Sequence, residues 1–103
     1  MQIPLPSDLK RKYPHVPDEE IIDAIEIATI RSLQKVHGKA VGAFYGVSGL
    51  DVYLYSGIDF SHVDLSRLRR RNKRRLLDEL EIELMKRQAC NEAKEYRTTQ
   101  GAV

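Results

Sequence analysis

Residues 40–56 form the segment that most restricts the fold, with the sequence A-V-G-A-F-Y-G-V-S-G-L-D-V-Y-L-Y-S. The segment is rich in β-branched and aromatic residues and is divided by Ser48 and Gly49, a pattern typical of a β-hairpin with a two-residue loop. The segments before and after it have helical periodicity. We therefore predict a small single-domain α+β fold in the order extended arm, helix, two-strand antiparallel hairpin and long C-terminal helix.

The two faces of the hairpin differ, because successive side chains of a strand point to opposite sides of the sheet. With Ser48 and Gly49 as the loop, Val47 faces Leu50, and the expected core face consists of Val41, Ala43, Tyr45, Val47, Leu50, Val52 and Leu54. The other face carries Phe44, Tyr53 and Tyr55, together with Gly42, Gly46 and Asp51. Either a helix covers this aromatic face, or its rings stack on the bases of nucleic acid. A register slip of one residue would exchange the two faces.

Residues 17–37 have the pattern of an amphipathic helix that begins at Pro17 and ends before Gly38. Proline suits the first helical position, and the acidic residues that follow it complement the positive end of the helix dipole. The expected core stripe consists of Ile21, Ile22, Ile25, Ala28, Thr29, Leu33 and Val36. Ile27 and Ile30 lie on the opposite face, which indicates a further contact within this chain or with a second copy.

Four prolines lie within the first seventeen residues, where they oppose a long helix. We predict an extended arm over residues 1–16, a folded core over residues 17–97 and a disordered tail over residues 98–103. Ser7 is placed to cap a single helical turn in the arm, which would bring Lys10, Arg11 and Lys12 together.

The segment from Ser61 to about Arg97 has the pattern of one long helix, and Ser61 and Asp64 have the spacing of a capping box. One apolar line contains Leu65, Leu68, Leu76, Leu77, Leu80 and Leu84, and a second contains Ile82, Met85, Ala89, Ala93 and Tyr96. The helix is therefore either continuous with two sets of partners or broken near Asn72. Acid–base pairs four residues apart favour continuity, namely Arg74 with Asp78, Arg75 with Glu79 and Glu83 with Arg87.

Residues 67–75 read R-L-R-R-R-N-K-R-R, so seven of nine residues are cationic in a chain of formal charge +2. Like charges three or four positions apart on a helix repel each other, and the run therefore favours an anionic partner such as phosphate. The predicted phosphate-binding residues are Arg67, Arg69, Arg70, Arg71, Lys73, Arg74 and Arg75. Four of them, Arg67, Arg70, Arg71 and Arg74, are expected on one helical face. A solvated surface without a partner is the alternative interpretation.

Sequence motifs for catalysis, metals and cofactors are missing. The three histidines have no ligand spacing with one another or with Cys90, and neither a phosphate-binding loop nor a dinucleotide fingerprint is found. We expect a protein that is not an enzyme and that holds no metal or cofactor. The single cysteine fits a reducing compartment, and no apolar run is long enough to span a membrane. These features indicate a cytoplasmic protein with no membrane partner.

Residues 16–56 run in the order helix, glycine, strand, tight turn and tyrosine-rich strand, and residues 17–26 have the pattern P-x-E-x-I-x-x-A-I-E. Over these roughly forty residues the chain resembles the opening of the N-terminal domain of the transcription elongation factor NusA. The resemblance implies the helix–hairpin order already predicted from the residues. The long basic C-terminal helix departs from that family, and no functional residue is carried over from it.

Two functions are compatible with this sequence. The first is a small nucleic-acid-binding regulatory protein that uses the basic run on phosphates, with Phe44, Tyr53 and Tyr55 on bases, and the choice between RNA and DNA stays open. The second is an adaptor or assembly module whose basic helix docks on an acidic protein or on the acidic block of a second copy. We also expect a homodimer, with the interface residues Ile27, Ile30, Ile82, Met85 and Ala89.

Overall fold

The structure, a computed structural model, describes residues 6–38, 40–46 and 49–101 of the 103-residue chain, the last five of them as backbone alone. The helices are α1 (Pro6–Lys12), α2 (Asp18–His37) and α3 (Arg70–Gly101), and a short 3-10 helix covers Leu65–Arg67. The strands are β1 (Ala40–Gly46), β2 (Gly49–Ser56) and β3 (Asp59–His62). The predicted α+β class is confirmed.

The sheet is antiparallel in the order β1-β2-β3, so the predicted two-strand hairpin has a third strand. Gly57 adopts a φ of 63°, which lets the chain reverse directly after β2 and pair Ser56 with Asp59. Gly46 pairs with Gly49 across the first loop, and Tyr45 rather than Val47 faces Leu50. The partners thus differ from the prediction by two positions, and this even shift leaves the described side chains of β1 and β2 on their expected faces. Val47 and Ser48 lie outside the described residues.

Helix α2 is the centre of the core, which consists of two packed groups. One joins α2 to α1 and α3 through Leu9, Tyr13, Val16, Ile21, Ala24, Ile25, Ala28, Leu80 and Leu84. The other joins α2 to the inner face of the sheet through Leu33, Val41 and Val52, with Ile30, Leu54, Leu65 and Leu68 packed around them. The predicted stripe is buried at Ile21, Ile25 and Leu33, whereas Val36 near the helix end is 36% exposed.

The predicted extended arm is wrong over the described residues, because residues 6–12 form α1. Pro6 occupies the first helical position and Pro14 follows the helix, so neither interrupts a hydrogen bond within it. Leu9, Tyr13 and Val16 are buried in the core. The Lys10 ammonium donates to the Val16 carbonyl at 2.8 Å, so Lys10 supports this turn.

Helix α3 begins at Arg70, later than the predicted start at Ser61, and it is continuous across Asn72. Ser61 lies in β3, and the Asp64 carboxylate accepts from the Ser66 N–H at 3.0 Å, which caps the 3-10 helix instead. The helix contains 32 residues, about 48 Å at 1.5 Å per residue, within a molecule 55 Å long. Residues 98–101, predicted as disordered tail, belong to this helix, and residues 102–103 lie outside the described residues.

Polar contacts continue the α2–α3 interface beyond Leu84. Arg87 of α3 contacts Asp23 of α2 at 2.7 Å and Glu83 of its own helix at 3.0 Å. Arg31 of α2 also contacts Glu83, at 3.1 Å. Desolvation by itself would raise the pKa of Glu83, but the hydrogen bond and charge of Arg87, with the charge of Arg31, outweigh it and hold that pKa below its ordinary value of 4.5.

This lowered pKa predicts a dependence of stability on pH. The ionised Glu83 stabilises the folded state above about pH 4.5, and this contribution is lost as the pH falls through the folded-state pKa. We expect Glu83→Gln to lower the free energy of unfolding at pH 7 and to reduce the further loss between pH 7 and pH 3. Urea denaturation at both pH values measures this difference. The exposed Glu92→Gln is the matched control; an equal pH dependence in the two variants would contradict the assignment.

Candidate nucleic-acid interface

The predicted basic run does not lie on a single helix. Arg67 belongs to the 3-10 helix, Arg69 precedes α3, and the four remaining arginines and Lys73 lie in the first two turns of α3. The Arg69 carbonyl accepts the first hydrogen bonds of α3, from Asn72 and Lys73. Arg67 therefore does not share a helical face with Arg70, Arg71 and Arg74, because the chain bends at Leu68 between them. We refer to residues 67–75 as the basic segment.

The arginines of the basic segment are largely without acidic partners. Arg67 contacts Asp64 at 3.4 Å, and in the described part of the chain the other five arginines form no ion pair. The predicted Arg74–Asp78 and Arg75–Glu79 pairs are not formed. Glu79 instead contacts Lys35 of α2 at 2.9 Å, while the predicted Glu83–Arg87 pair is confirmed. Lys73 donates to the Ser66 carbonyl at 3.2 Å and holds the start of α3 against the 3-10 helix.

Two shallow depressions follow the two sides of this segment. One, of about 660 Å³, is lined by Arg70, Lys73, Arg74, Leu77 and Asp78. The other, of about 470 Å³, is lined by Val36, Arg69, Arg71, Asn72 and Arg75. Both depressions open to solvent, and each presents more than one cation to a bound anion. Bidentate arginine contacts fit phosphate oxygens in such a setting.

The position of these charges is unfavourable for the helix itself. The N-terminal end of a helix carries partial positive charge, and the first turn of α3 contains no acidic residue to balance it. Arg70 and Arg74, like Arg71 and Arg75, also lie four positions apart and repel each other. A bound anion would relieve both effects.

The aromatic face of the sheet is open to solvent. Phe44, Tyr55 and Phe60 are 63%, 43% and 65% exposed, and α2 packs against the opposite face of the sheet. Of the two alternatives for this face, cover by a helix is not found among the described residues. The Tyr53 ring meets Phe60 and His62 edge to face, with ring centroids 5.5 and 5.3 Å apart. We refer to Phe44, Tyr53, Tyr55, Phe60 and His62 as the aromatic face.

Two glycines allow rings to lie across β1. A Cβ atom at Gly42 would come within 2.7 Å of the Tyr55 ring, and one at Gly46 within 2.8 Å of the Phe44 ring. These distances are shorter than any real contact of a Cβ atom. The rings therefore occupy the space that side chains at these positions would fill, and they lie against the strand backbone.

Phe60 and His62 are functional candidates that the sequence analysis missed. Phe60 was given no role and His62 was placed in the first turn of the predicted long helix, whereas β3 pairs them with Tyr55 and Tyr53. The available signal was Gly57, which supports a second reversal of the chain, followed by alternation of Phe60 and His62 with polar residues.

The five predicted interface residues differ in their surroundings. Ile30 packs into the core group under the sheet, so the contact expected for it is made within this chain. Ile27 is half-buried. Ile82 and Met85 are 50% and 56% exposed, and Ala89 is exposed as well. With Ala93 and the 65% exposed Tyr96, they form an outward apolar stripe on α3. This stripe lies opposite the buried line Leu76, Leu80 and Leu84.

Searches for similar proteins return nothing that bears on function: no protein-family model, curated protein or solved structure matches the chain. The residues described by the structure contain no group of three or more His, Cys, Asp or Glu side chains placed to hold a metal ion. None of the described helices combines the length and apolar character needed to cross a membrane. The basic segment and the aromatic face are therefore the candidate sites among the described residues.

Proposed function

We propose that this protein is a small nucleic-acid-binding regulatory protein that contacts phosphates through the basic segment. The observation that carries the proposal is the set of five arginines, Arg69, Arg70, Arg71, Arg74 and Arg75, that have no acidic partner among the described residues. Arginines already neutralised by carboxylates would have supported an assembly role instead. We further propose that it acts by binding rather than by catalysis, and in the cytoplasm, where an exposed free thiol such as that of Cys90 stays reduced.

The adaptor function has less support than nucleic-acid binding, because the acidic block that follows the basic segment is partly engaged within the chain. In that alternative, the basic segment of one chain meets residues 78–83 of another chain or an acidic partner protein. Glu79 and Glu83 are already engaged by Lys35, Arg31 and Arg87 within the chain. Asp78 and Glu81 alone would leave two carboxylates for a much larger number of cations.

The salt dependence of binding tests the proposal directly. Each phosphate contact releases counterions, so the logarithm of affinity should fall with the logarithm of salt concentration by roughly 0.7 to 0.9 per contact. Fluorescence anisotropy with labelled RNA and DNA between 50 and 200 mM salt measures this slope. A protein that binds neither nucleic acid at low salt would contradict the proposal, and binding to a polyanionic protein under the same conditions would then favour the adaptor function.

We also propose that the protein is a homodimer that uses the outward stripe of α3. Large exposed apolar side chains that repeat along a helix favour contact with a second helix, because burial removes their surface from water. We expect Ile82→Asp to convert the dimer into a monomer. Sedimentation equilibrium at tens of micromolar protein measures the change.

A matched control for this prediction is Cys90→Asp. It introduces the same charge at another exposed position of α3, roughly a quarter turn from Ile82 around the helix. This variant should stay dimeric. A monomeric wild-type protein at these concentrations would contradict the homodimer, and equal weakening by both substitutions would place the interface elsewhere.

A further inference from the structure

We propose that the aromatic face binds single-stranded nucleic acid by stacking its bases on the rings of Phe44, Tyr55 and Phe60. This inference rests on the proposed function, and it specifies which form of nucleic acid the protein recognises. Bases in a duplex are stacked on one another and do not offer their faces to protein rings, whereas single strands do. A duplex would therefore meet only the basic segment, and a single strand would meet both surfaces.

The first argument is the orientation of the rings. The Tyr55 ring lies against the backbone at Gly42, and the Phe44 ring against the backbone at Gly46. A ring supported by the sheet on one side presents its opposite side to solvent. These side chains are 43% and 63% exposed, so that side is accessible. Such a surface accepts the flat face of a base without any rearrangement of the sheet.

The second argument is the shape of the region around Phe60. Tyr53, Tyr55 and Phe60 line a depression of about 280 Å³, with the Tyr53–Phe60 and Tyr55–Phe60 ring centroids 5.5 and 6.3 Å apart. The interplanar angles are 79° and 44°, so the rings do not stack on one another. An edge-to-face contact covers at most one face of one of the two rings, so the ring faces not used in these contacts stay available to a ligand.

The third argument is the distribution of charge. On the side of the sheet that carries the aromatic face, the described residues include one carboxylate, that of Asp51, and no lysine or arginine. An Asp51 oxygen lies 3.6 Å from the His62 ring. Phosphates would therefore be held elsewhere, and the basic segment is the nearest cationic stretch along the chain. His62 and Arg69 are seven residues apart, at most about 25 Å even for extended backbone. A single strand can run from the aromatic face to the basic segment over that distance.

The test compares single-stranded RNA, single-stranded DNA and duplex DNA of one mixed sequence. Loss of one stacked base corresponds to roughly 5- to 150-fold in affinity. We expect the Tyr55→Leu/Phe60→Leu variant to bind single strands at least about 30-fold more weakly and to bind duplex within about twofold of wild type. Leucine keeps an apolar side chain in the sheet while it removes the ring. A ring-dependent affinity for either single-stranded RNA or single-stranded DNA supports the inference, and the ratio of the two affinities identifies the preferred strand.

Two further variants keep the test independent of folding. Ile58→Ala removes another large side chain, 99% exposed beside β3, and should leave single-strand affinity unchanged. Gly42→Ala keeps every ring but displaces that of Tyr55, so it should weaken single-strand binding and leave duplex binding unchanged. The chain has five tyrosines and no tryptophan, so base stacking is also expected to quench tyrosine emission less in Tyr55→Leu than in wild type.

The outcomes separate this inference from the proposed function. Equal affinity for single strands in wild type, Tyr55→Leu/Phe60→Leu and Gly42→Ala would overturn the stacking inference, while salt-dependent binding would still support the basic segment. If the ring variants bind single strands normally but lose self-association in sedimentation, the face is a protein interface and the inference is wrong. Failure of wild type to bind any of the three nucleic acids would overturn both.

Discussion

Replacement of Arg70 and Arg74 with alanine is expected to weaken binding to RNA or DNA of every sequence and to flatten its salt dependence. Both side chains line the same depression, and neither has an acidic partner in the described part of the chain. Loss of two phosphate contacts should reduce the slope by about 1.4 to 1.8. Between 50 and 200 mM salt, the affinity advantage of wild type should therefore shrink by roughly tenfold. Anisotropy titrations at four salt concentrations measure both quantities.

The fold should withstand this double substitution. Alanine is the better helix former, and the change removes a like-charge pair four positions apart at the positive end of α3. Thermal stability should be unchanged or slightly higher. Arg11→Ala/Lys86→Ala removes the same charge from exposed sites on α1 and α3, and it should preserve the slope. If this control lowers affinity and slope as much as the double variant does, binding is governed by net charge and the assigned segment is wrong.

The largest expected effect on stability is that of Leu84→Ala. Leu84 is fully buried in the core group that joins α1, α2 and α3, and its truncation leaves a cavity there. Leucine-to-alanine changes in cores cost about 2 to 5 kcal/mol, a large part of the stability of a domain of this size. We expect a lower urea midpoint with little change in the slope of the transition.

Met85 provides the matched control for Leu84. It is the next residue of α3, but it is 56% exposed, so Met85→Ala should change the free energy of unfolding by about 0.5 kcal/mol or less. The measurement is made in dilute protein so that self-association does not contribute. Similar losses in both variants would mean that the two faces of α3 are not distinguished as the structure shows.

The faces of the hairpin and the position of α2 could be predicted because they depend on short-range pattern. Side-chain alternation put Phe44 and Tyr55 on one face and Val41 and Val52 on the other, and the observed register preserves that division. Gly38, with a φ of 64°, ends α2 where glycine was expected to end it. The core stripe was correct in its buried centre and differed at Val36, which lies in the last turn of α2 and is 36% exposed.

Helix α1 was predicted only as a single turn within an extended arm, and strand β3 was not predicted, for different physical reasons. A helix of seven residues is marginal alone, so its formation depends on burial of Leu9 against α2 and α3 rather than on propensity. Strand β3 has four exposed residues and no apolar run, and it is defined by pairing with β2. The spacing of Ser61 and Asp64 is compatible with a helix start, but it does not exclude a strand at Ser61. The turn at Gly57 brings this segment beside β2 and so favours the strand.

The α+β class, the two faces of the hairpin and the concentration of cations at residues 67–75 follow from the order of residues along the chain. Each of these depends on the identity and spacing of neighbours along the chain. Tertiary structure alone decided which arginines have acidic partners and whether the aromatic face is covered. Lys35 contacts Glu79 from 44 positions away, which leaves Arg75 without its expected local partner, and Arg31 contacts Glu83 from 52 positions away. Such choices depend on which helix faces pack together, and no local pattern contains that information.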